Sequence, residues 1–255
     1  IGGYTVREAV RNQLSPHPGP LPSWERGTHQ ARDREVAVVG GIGPDTDWAA
    51  ALAGTEVVVH LAARVHVMRE AAADPLAAFR TVNLFGTENL ARQAARAGVR
   101  RLVYLSSIKV NGESTAFAGT LTPAPSPIEG EGRTRFSESD EQHPQDPYAL
   151  SKWQAEQALH AIAQDTGLEI VILRPPLVYG PGVKGNFLRL LQAVECGIPL
   201  PFGRVRNARS LIFIGNLIDA IMACMTRPQA AAQTYLVCDG EDVSTPELIS
   251  RMAHA

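Results

Sequence analysis

Short, continuous runs of apolar residues alternate along this chain with longer segments in which apolar residues recur at helical spacing. The continuous runs are typical of strands buried on both faces, and the longer segments are typical of amphipathic helices. Strands are predicted at residues 4–10, 35–39, 56–61, 101–106 and 168–173, with shorter ones at 210–214 and 234–238. Helices are predicted at residues 75–97, 148–164, 186–196 and 215–226, followed by a last helix that begins after Ser244. This alternation predicts an α/β fold with a doubly wound parallel sheet.

Two proline-rich segments, at about residues 14–30 and 121–134, interrupt the pattern. Both open with the string Leu-Ser/Thr-Pro-x-Pro-x-Pro and close with Glu, Gly and Arg residues. Because proline fixes φ and lacks an amide donor, neither a helix nor a central strand is expected there. We interpret the two segments as low-complexity insertions; the alternative is a proline-rich ligand for a partner protein.

Composition excludes several classes of function. The 255 residues include 24 basic and 26 acidic side chains, and no basic run contains interleaved aromatic residues, so nucleic acid is not an expected partner. Three cysteines without a Cys-x-x-Cys pair argue against a disulfide framework or a zinc site, and we expect no metal. No stretch approaches the roughly 20 apolar residues of a membrane span, and the first residues lack a signal-peptide profile. We therefore expect a cytoplasmic protein with no membrane partner.

The strongest chemical signal is Tyr148 followed four residues later by Lys152. Residues four apart lie one turn apart on the same helix face, so the ammonium can favour the ionised phenol. That proximity predicts a tyrosine that acts as acid or base near neutral pH. Ser106 and Ser107 follow a predicted strand, at the carboxyl edge where open α/β sheets place their ligands.

In this order and environment the chain resembles the extended short-chain dehydrogenase/reductase superfamily, in its nucleotide-sugar epimerase/dehydratase branch. Four segments carry the resemblance, at residues 59–63, 82–90, 105–112 and 174–182. They are similar to the family's H-x-A-A, V-N-x-x-G-T-x-N-L, S-S-x-x-V-Y-G and R-x-x-x-V-Y-G-P elements. The resemblance implies a Rossmann-type sheet with a smaller C-terminal region that binds substrate.

The resemblance also assigns roles to individual residues. The implied catalytic residues are Ser107, Tyr148 and Lys152. The implied cofactor-binding residues are Arg11, Ile42, Leu61, Ala62, Ala63, Asn83, Tyr148, Lys152 and Pro175. The implied substrate-binding residues are Ser107, Lys109, Asn186 and Arg209. The cofactor is NAD or NADP, and Arg11 favours NADP because a basic residue at the end of the second strand accommodates the 2′-phosphate.

Three departures from the family pattern affect these expectations. The family's first strand and Gly-x-x-Gly-x-x-Gly turn are not found before Tyr4, so we expect the first strand and its phosphate-binding turn to be missing and a slot to be left in the sheet. Gly41 stands where the family usually has an aspartate that contacts adenine, and Asn111 stands where it usually has a tyrosine. We expect residues 1–174 to form the cofactor-binding domain and residues 175–255 an incomplete substrate-binding region.

The resemblance implies that the chain oxidises and re-reduces C4 of a UDP-hexose through a 4-keto intermediate, and is therefore an epimerase. A 4-keto-sugar nucleotide reductase with the same three catalytic residues stays open. A catalytically dead remnant unable to bind cofactor also stays open, because the phosphate-binding turn is missing. The expected ligand is a nucleotide sugar, and a homodimer through helices 75–97 and 148–164 is implied.

Overall fold

The computed structural model describes residues 5–10, 33–65, 74–115 and 135–254. Both proline-rich segments, and Arg11, lie outside the described residues. The strands are β1 (Thr5–Val10), β2 (Asp33–Val38), β3 (Val57–His60), β4 (Arg101–Leu105), β5 (Glu169–Arg174), β6 (Leu177–Tyr179), β7 (Arg209–Phe213), β8 (Thr234–Leu236) and β9 (Asp242–Val243). The α-helices are α1 (Ala49–Leu52), α2 (Pro75–Arg80), α3 (Gly86–Arg96), α4 (Pro147–Thr166), α5 (Gly185–Glu195), α6 (Ile214–Thr226) and α7 (Thr245–Ala253).

The described strands form three sheets. The central sheet has the order β3-β4-β5-β8, and helices flank it as in a Rossmann fold, which confirms the predicted class. The pair β1-β2 is parallel and forms a sheet of its own. The third sheet has the order β6-β7-β9, in which β6 is parallel and β9 antiparallel to β7. The sequence did not predict β6 or β9, because runs of three and two residues are too short to show a period.

The chain divides into two compact units. The first unit comprises residues 1–102 and 154–170, and the second comprises residues 103–153 and 171–255. The sequence-based division at residue 174 separates an expected cofactor-binding part from an expected substrate-binding part. It therefore concerns ligand binding, and it stays a prediction. No helix among the described residues is long and apolar enough to cross a membrane.

The first unit contains one helical segment that is not regular throughout. Asp74 caps α2 by accepting a hydrogen bond from the Ala77 amide, and Pro75 takes the first helical position, where its missing amide costs nothing. The five residues Thr81–Phe85 then form a π-helix, and α3 follows directly. The predicted helix at 75–97 is therefore confirmed in extent, with a π segment in its middle that periodicity could not indicate. Such π segments occur frequently at functional sites.

In the second unit, apolar side chains of the strands form the core. Val171, Ile172 and Leu173 of β5 are at most 1% exposed, which fits the continuous apolar run that predicted this strand. Gly180 directly follows β6 and has φ +139°, and a β-carbon there would come within 2.6 Å of Ile214 Cγ2. A glycine is therefore required after β6, both for its backbone conformation and for the close approach of α6.

Candidate active site

Ser107 and Tyr148 lie together in the second unit. Ser107 is the second residue after β4, and its side chain accepts a 3.3 Å hydrogen bond from the Lys109 amide at the start of the 3₁₀ turn Ile108–Val110. Tyr148 stands in the first turn of α4. The two side chains are hydrogen-bonded to each other. The structure thus joins the predicted catalytic hydroxyl and phenol.

Lys152 lies one turn after Tyr148 on α4, and its side chain is buried. Its Nζ donates a 2.7 Å hydrogen bond to the Leu105 main-chain oxygen and lies 4.5 Å from the centre of the Tyr104 ring. A buried ammonium needs such polar and aromatic partners to offset its desolvation. These contacts hold Lys152 against the end of β4, beside the residues that precede Ser107.

The pKa of Tyr148 differs in direction from the sequence-based expectation. Burial raises the pKa of the Tyr148 phenol, and the Asp146 carboxylate acts in the same direction. The hydrogen bond with Ser107 and the positive charge of Lys109 lower it, but not enough to offset the burial. The sequence reasoning named Lys152 as the cation that lowers this pKa; the structure adds Lys109 as a cation that acts on the phenol.

The two residues on either side of Ser107 form main-chain hydrogen bonds with the end of β5 and the residue after it. The Ser106 amide donates to the Leu173 oxygen at 2.7 Å, and the Ile108 amide donates to the oxygen of Pro175 at 3.0 Å. Pro175, a predicted cofactor-binding residue, therefore lies alongside the Ser107 segment. These two bonds fix the path of the chain through Ser107.

Asn111, which stands where the family usually has a tyrosine, is 2% exposed. Its Oδ1 accepts a 3.0 Å hydrogen bond from Arg174, and its Nδ2 donates to the Ser137 main-chain oxygen at 3.0 Å. The side chain thus links the end of β5 to the segment that begins at Arg135. Both ends of this buried amide thus have a hydrogen-bond partner inside the protein.

The motif at residues 82–90 lies in the first unit, where its polar residues hold main chain. Asn83 is 1% exposed; its Oδ1 accepts from the Arg64 amide at 2.7 Å and its Nδ2 donates to the Arg64 oxygen at 3.0 Å. Asn83, which the resemblance made a cofactor residue, thereby fixes the segment after β3. Thr87 Oγ1 lies 2.9 Å from His60 Nε2, at the end of the same strand.

Two further residues of this motif, Gly86 and Asn89, contact the loop that follows β2. A β-carbon at Gly86 would come within 2.8 Å of Ile42 Cγ2, so only glycine lets α3 approach this loop. Asn89 Nδ2 donates to the main-chain oxygens of Gly43 and Thr46, at 3.3 and 2.7 Å. Ile42, a predicted cofactor residue, is therefore packed against the start of α3.

Four of the remaining predicted residues lie on exposed positions, and Ala63 is half-buried. Leu61, at the carboxyl end of β3, is 55% exposed, and Ala62 beside it is also exposed. Asn186 at the start of α5 and Arg209 on β7 are exposed in the second unit. Exposed side chains at such positions are free to meet a ligand, and their binding roles stay predictions. Within the described ranges, no group of three or more His, Cys, Asp or Glu side chains is arranged to hold a metal ion.

Asp146 is a site residue that the sequence reasoning did not single out. Its Oδ1 accepts a 2.6 Å hydrogen bond from the Ala149 amide, and its Oδ2 lies 2.8 Å from Lys109 Nζ. An aspartate followed by proline is a helix-start signature, because aspartate caps the helix and proline suits the first turn. The dipeptide Asp146-Pro147 thus marked the beginning of α4, and with it the fixed position of Tyr148.

Comparison with known proteins agrees with this arrangement. The profile of the NAD dependent epimerase/dehydratase family matches residues 9–238. A "UDP-glucose 4-epimerase" of Vibrio cholerae is 45% identical over 253 residues, which cover 99% of this chain and 68% of that protein. An "N-acetyl-alpha-D-glucosaminyl-diphospho-ditrans,octacis-undecaprenol 4-epimerase" of Escherichia coli O157:H7 is 26% identical, with 86% of this chain and 60% of that protein covered. The chain thus spans between three fifths and seven tenths of the length of these two relatives.

The fold also agrees with solved structures. MoeE5 in complex with UDP-glucose and NAD superposes with a TM-score of 0.72 at 24% sequence identity, over 98% of this chain and 73% of that one. At this identity the likeness concerns the fold alone, and it places the described strands and helices in the same architecture.

Proposed function

The chain belongs to the NAD dependent epimerase/dehydratase family, and on that basis we propose that it inverts C4 of a UDP-linked hexose through a 4-keto intermediate. The single observation that carries the proposal is the Ser107–Tyr148 hydrogen bond, with Lys152 one turn further along α4. A relative with 45% identity is named as a UDP-glucose 4-epimerase, which supports UDP-glucose as the substrate to test first.

In the proposed reaction, the Tyr148 phenolate takes the proton of the C4 hydroxyl, and Ser107 holds the same oxygen by a hydrogen bond. A nicotinamide dinucleotide, when bound, would supply the hydride chemistry at C4, first as acceptor and then as donor of the hydrogen with its electron pair. Tyr148 then gives its proton back to the oxygen once the other face of the keto sugar is presented. A positioned acid or base of this kind contributes about 100-fold to 10,000-fold to a rate.

The residues of the first unit fit the expected cofactor. Leu61 is 55% exposed and directly follows β3, at the carboxyl edge where open α/β sheets bind their ligands. Leu61, Ala62 and Ala63 would hold the dinucleotide there. The family's name supports NAD, while Arg11 supports NADP, and titration of the chain with NADH and NADPH in parallel decides between them.

The experiment that tests the function is incubation of the purified chain with UDP-glucose and NAD, with UDP-galactose measured over time. We expect UDP-galactose to form, and Tyr148→Phe to lose at least about 100-fold in rate. Tyr235→Phe is the matched control, since it removes a tyrosine hydroxyl from β8. If the chain instead reduces a 4-keto-sugar nucleotide with NADPH and leaves UDP-glucose unchanged, the reductase alternative replaces the proposal.

The proposal includes a homodimer formed through the helices at 75–97 and 148–164. Light scattering on the purified chain would measure its molar mass and so test this.

The proposal also includes a cytoplasmic location. Cys196, Cys224 and Cys238 all lie among the described residues and none of them forms a disulfide, which suits a reducing compartment.

A further inference from the structure

One carboxylate in the second unit contacts the two elements that carry Ser107 and Tyr148. Asp146 Oδ1 accepts from the Ala149 amide at 2.6 Å, and so caps α4 beside Tyr148. Asp146 Oδ2 accepts from Lys109 Nζ at 2.8 Å. Lys109 belongs to the 3₁₀ turn that Ser107 begins. The two oxygens of Asp146 thus connect the first turn of the helix to the turn after β4.

Lys109 is bonded at both of its ends. Its amide donates to Ser107 Oγ at 3.3 Å, and its ammonium donates to Glu113 Oε1 at 2.7 Å as well as to Asp146. The side chains of Lys109 and Asp146 are 29% and 27% exposed. A partly buried ion pair is screened less by salt than an exposed one.

We propose that the Lys109–Asp146 ion pair is a positioning pair, which sets the separation of the Ser107 hydroxyl and the Tyr148 phenol by tying the turn after β4 to the cap of α4. The inference rests on the proposed function and deepens it. It also changes the role of Lys109, which the family resemblance made a substrate contact. Its ammonium is already held by two carboxylates.

The charges that face Tyr148 make the pair testable in a way that a merely structural role is not. Burial raises the pKa of Tyr148, Asp146 raises it further, and Lys109 and the Ser107 hydrogen bond lower it. Removing the Lys109 charge should therefore move the acid limb of the pH–rate profile to higher pH. Removing the Asp146 charge should move that limb to lower pH.

The experiment compares Lys109→Met and Asp146→Asn with the control Glu113→Gln, which removes the other partner of Lys109 and leaves the helix cap intact. We expect each of the first two to lower kcat by about tenfold to 100-fold, because a misplacement of about 1 Å can cost about 100-fold in rate. KM for UDP-glucose should change less than about twofold, since binding is not the step affected. Lys109→Arg should restore most of kcat.

Two results would overturn the proposal. A rise in KM larger than the fall in kcat for Lys109→Met would make Lys109 a substrate contact. Shifts of the acid limb in the same direction for Lys109→Met and Asp146→Asn would show a general loss of structure.

A second measurement needs no turnover. The ionisation of Tyr148 is followed as the difference in phenolate absorbance between each variant and the same variant with Tyr148→Phe. In this absorbance titration, the pKa of Tyr148 should rise in Lys109→Met and fall in Asp146→Asn. If the chain has no epimerase activity but these shifts are found, the proposed function fails and the positioning pair stands. If activity is found without the shifts, the pair fails and the function stands.

Discussion

The side chains of Ser107 and Tyr148 are hydrogen-bonded to each other, which joins the segment after β4 to the first turn of α4. This bond favours the ionised phenol, whereas the burial of Tyr148 opposes it. The balance between the two sets the pH at which Tyr148 can act as a base.

The first prediction concerns Ser107→Ala. Removal of the hydroxyl takes away an interaction that lowers the pKa of Tyr148, so the acid limb of the pH–rate profile should move to higher pH. We expect kcat to fall about 100-fold at neutral pH. Ser151→Ala is the control, because Ser151 Oγ donates to the Tyr148 main-chain oxygen at 2.7 Å and leaves the phenol hydrogen-bonded to Ser107. An unshifted limb in Ser107→Ala would contradict the assigned role of this bond.

A second prediction concerns Gly180→Ala. The added β-carbon would lie 2.6 Å from Ile214 Cγ2, at a φ of +139° that L side chains rarely adopt. We expect the free energy of unfolding to fall by about 2–4 kcal/mol, from strain and overpacking together. Gly182→Ala separates the two causes, since Gly182 has φ +81° and no atom within 4 Å of its added β-carbon. Urea unfolding measures both, and equal losses would refute the close approach to α6.

The third prediction concerns Asn83→Ala in the first unit. The change removes two hydrogen bonds, from the Arg64 amide and to the Arg64 oxygen, and the loss of a typical hydrogen bond costs about 0.5–1.5 kcal/mol. We expect thermal or urea unfolding to show a loss of about 2 kcal/mol or more, while the exposed Asn186→Ala stays within about 0.5 kcal/mol. Similar small losses in both variants would mean that Asn83 does not hold the segment after β3.

The sequence predicts those structural features that depend on residues close together in the chain. The strands at 101–106 and 168–173 were placed within one residue, because a continuous apolar run reports burial on both faces. The π segment at Thr81–Phe85 depends on packing that no periodicity reports.

In the candidate site, too, the features set by neighbouring residues could be predicted and those set by distant residues could not. The spacing of Tyr148 and Lys152 is local, and α4 carries both as predicted. The Lys109–Asp146 pair joins segments distant in sequence, and the direction of the Tyr148 pKa depends on burial, so neither could be derived from residue spacing.

A further prediction concerns the pH dependence of stability through Asp239. Burial raises the pKa of this carboxyl, but hydrogen bonds from Asn216, the Phe213 amide and Tyr179 lower it overall, below 3.8. A lowered folded-state pKa stabilises the fold above pH 3.8, and that contribution is lost as the pH falls through the folded value. Asp239→Asn should therefore lower the urea midpoint at neutral pH, and the difference should shrink on acidification.

The control for this prediction is Asp219→Asn, at an exposed position of α6. It should change the midpoint by less than Asp239→Asn at neutral pH. A difference between the chain and Asp239→Asn that grows as the pH falls would contradict the direction of the pKa shift.

The most direct test of the central claim follows the hydrogen at C4. UDP-glucose deuterated at C4 is incubated with the chain and NAD, and the UDP-galactose is analysed by mass spectrometry and NMR. Because the hydrogen removed from C4 is returned to the same carbon, we predict UDP-galactose that retains deuterium at C4, and at least about 100-fold less of it with Tyr148→Phe. Formation of UDP-galactose without the deuterium, or undiminished formation by Tyr148→Phe, would contradict the account.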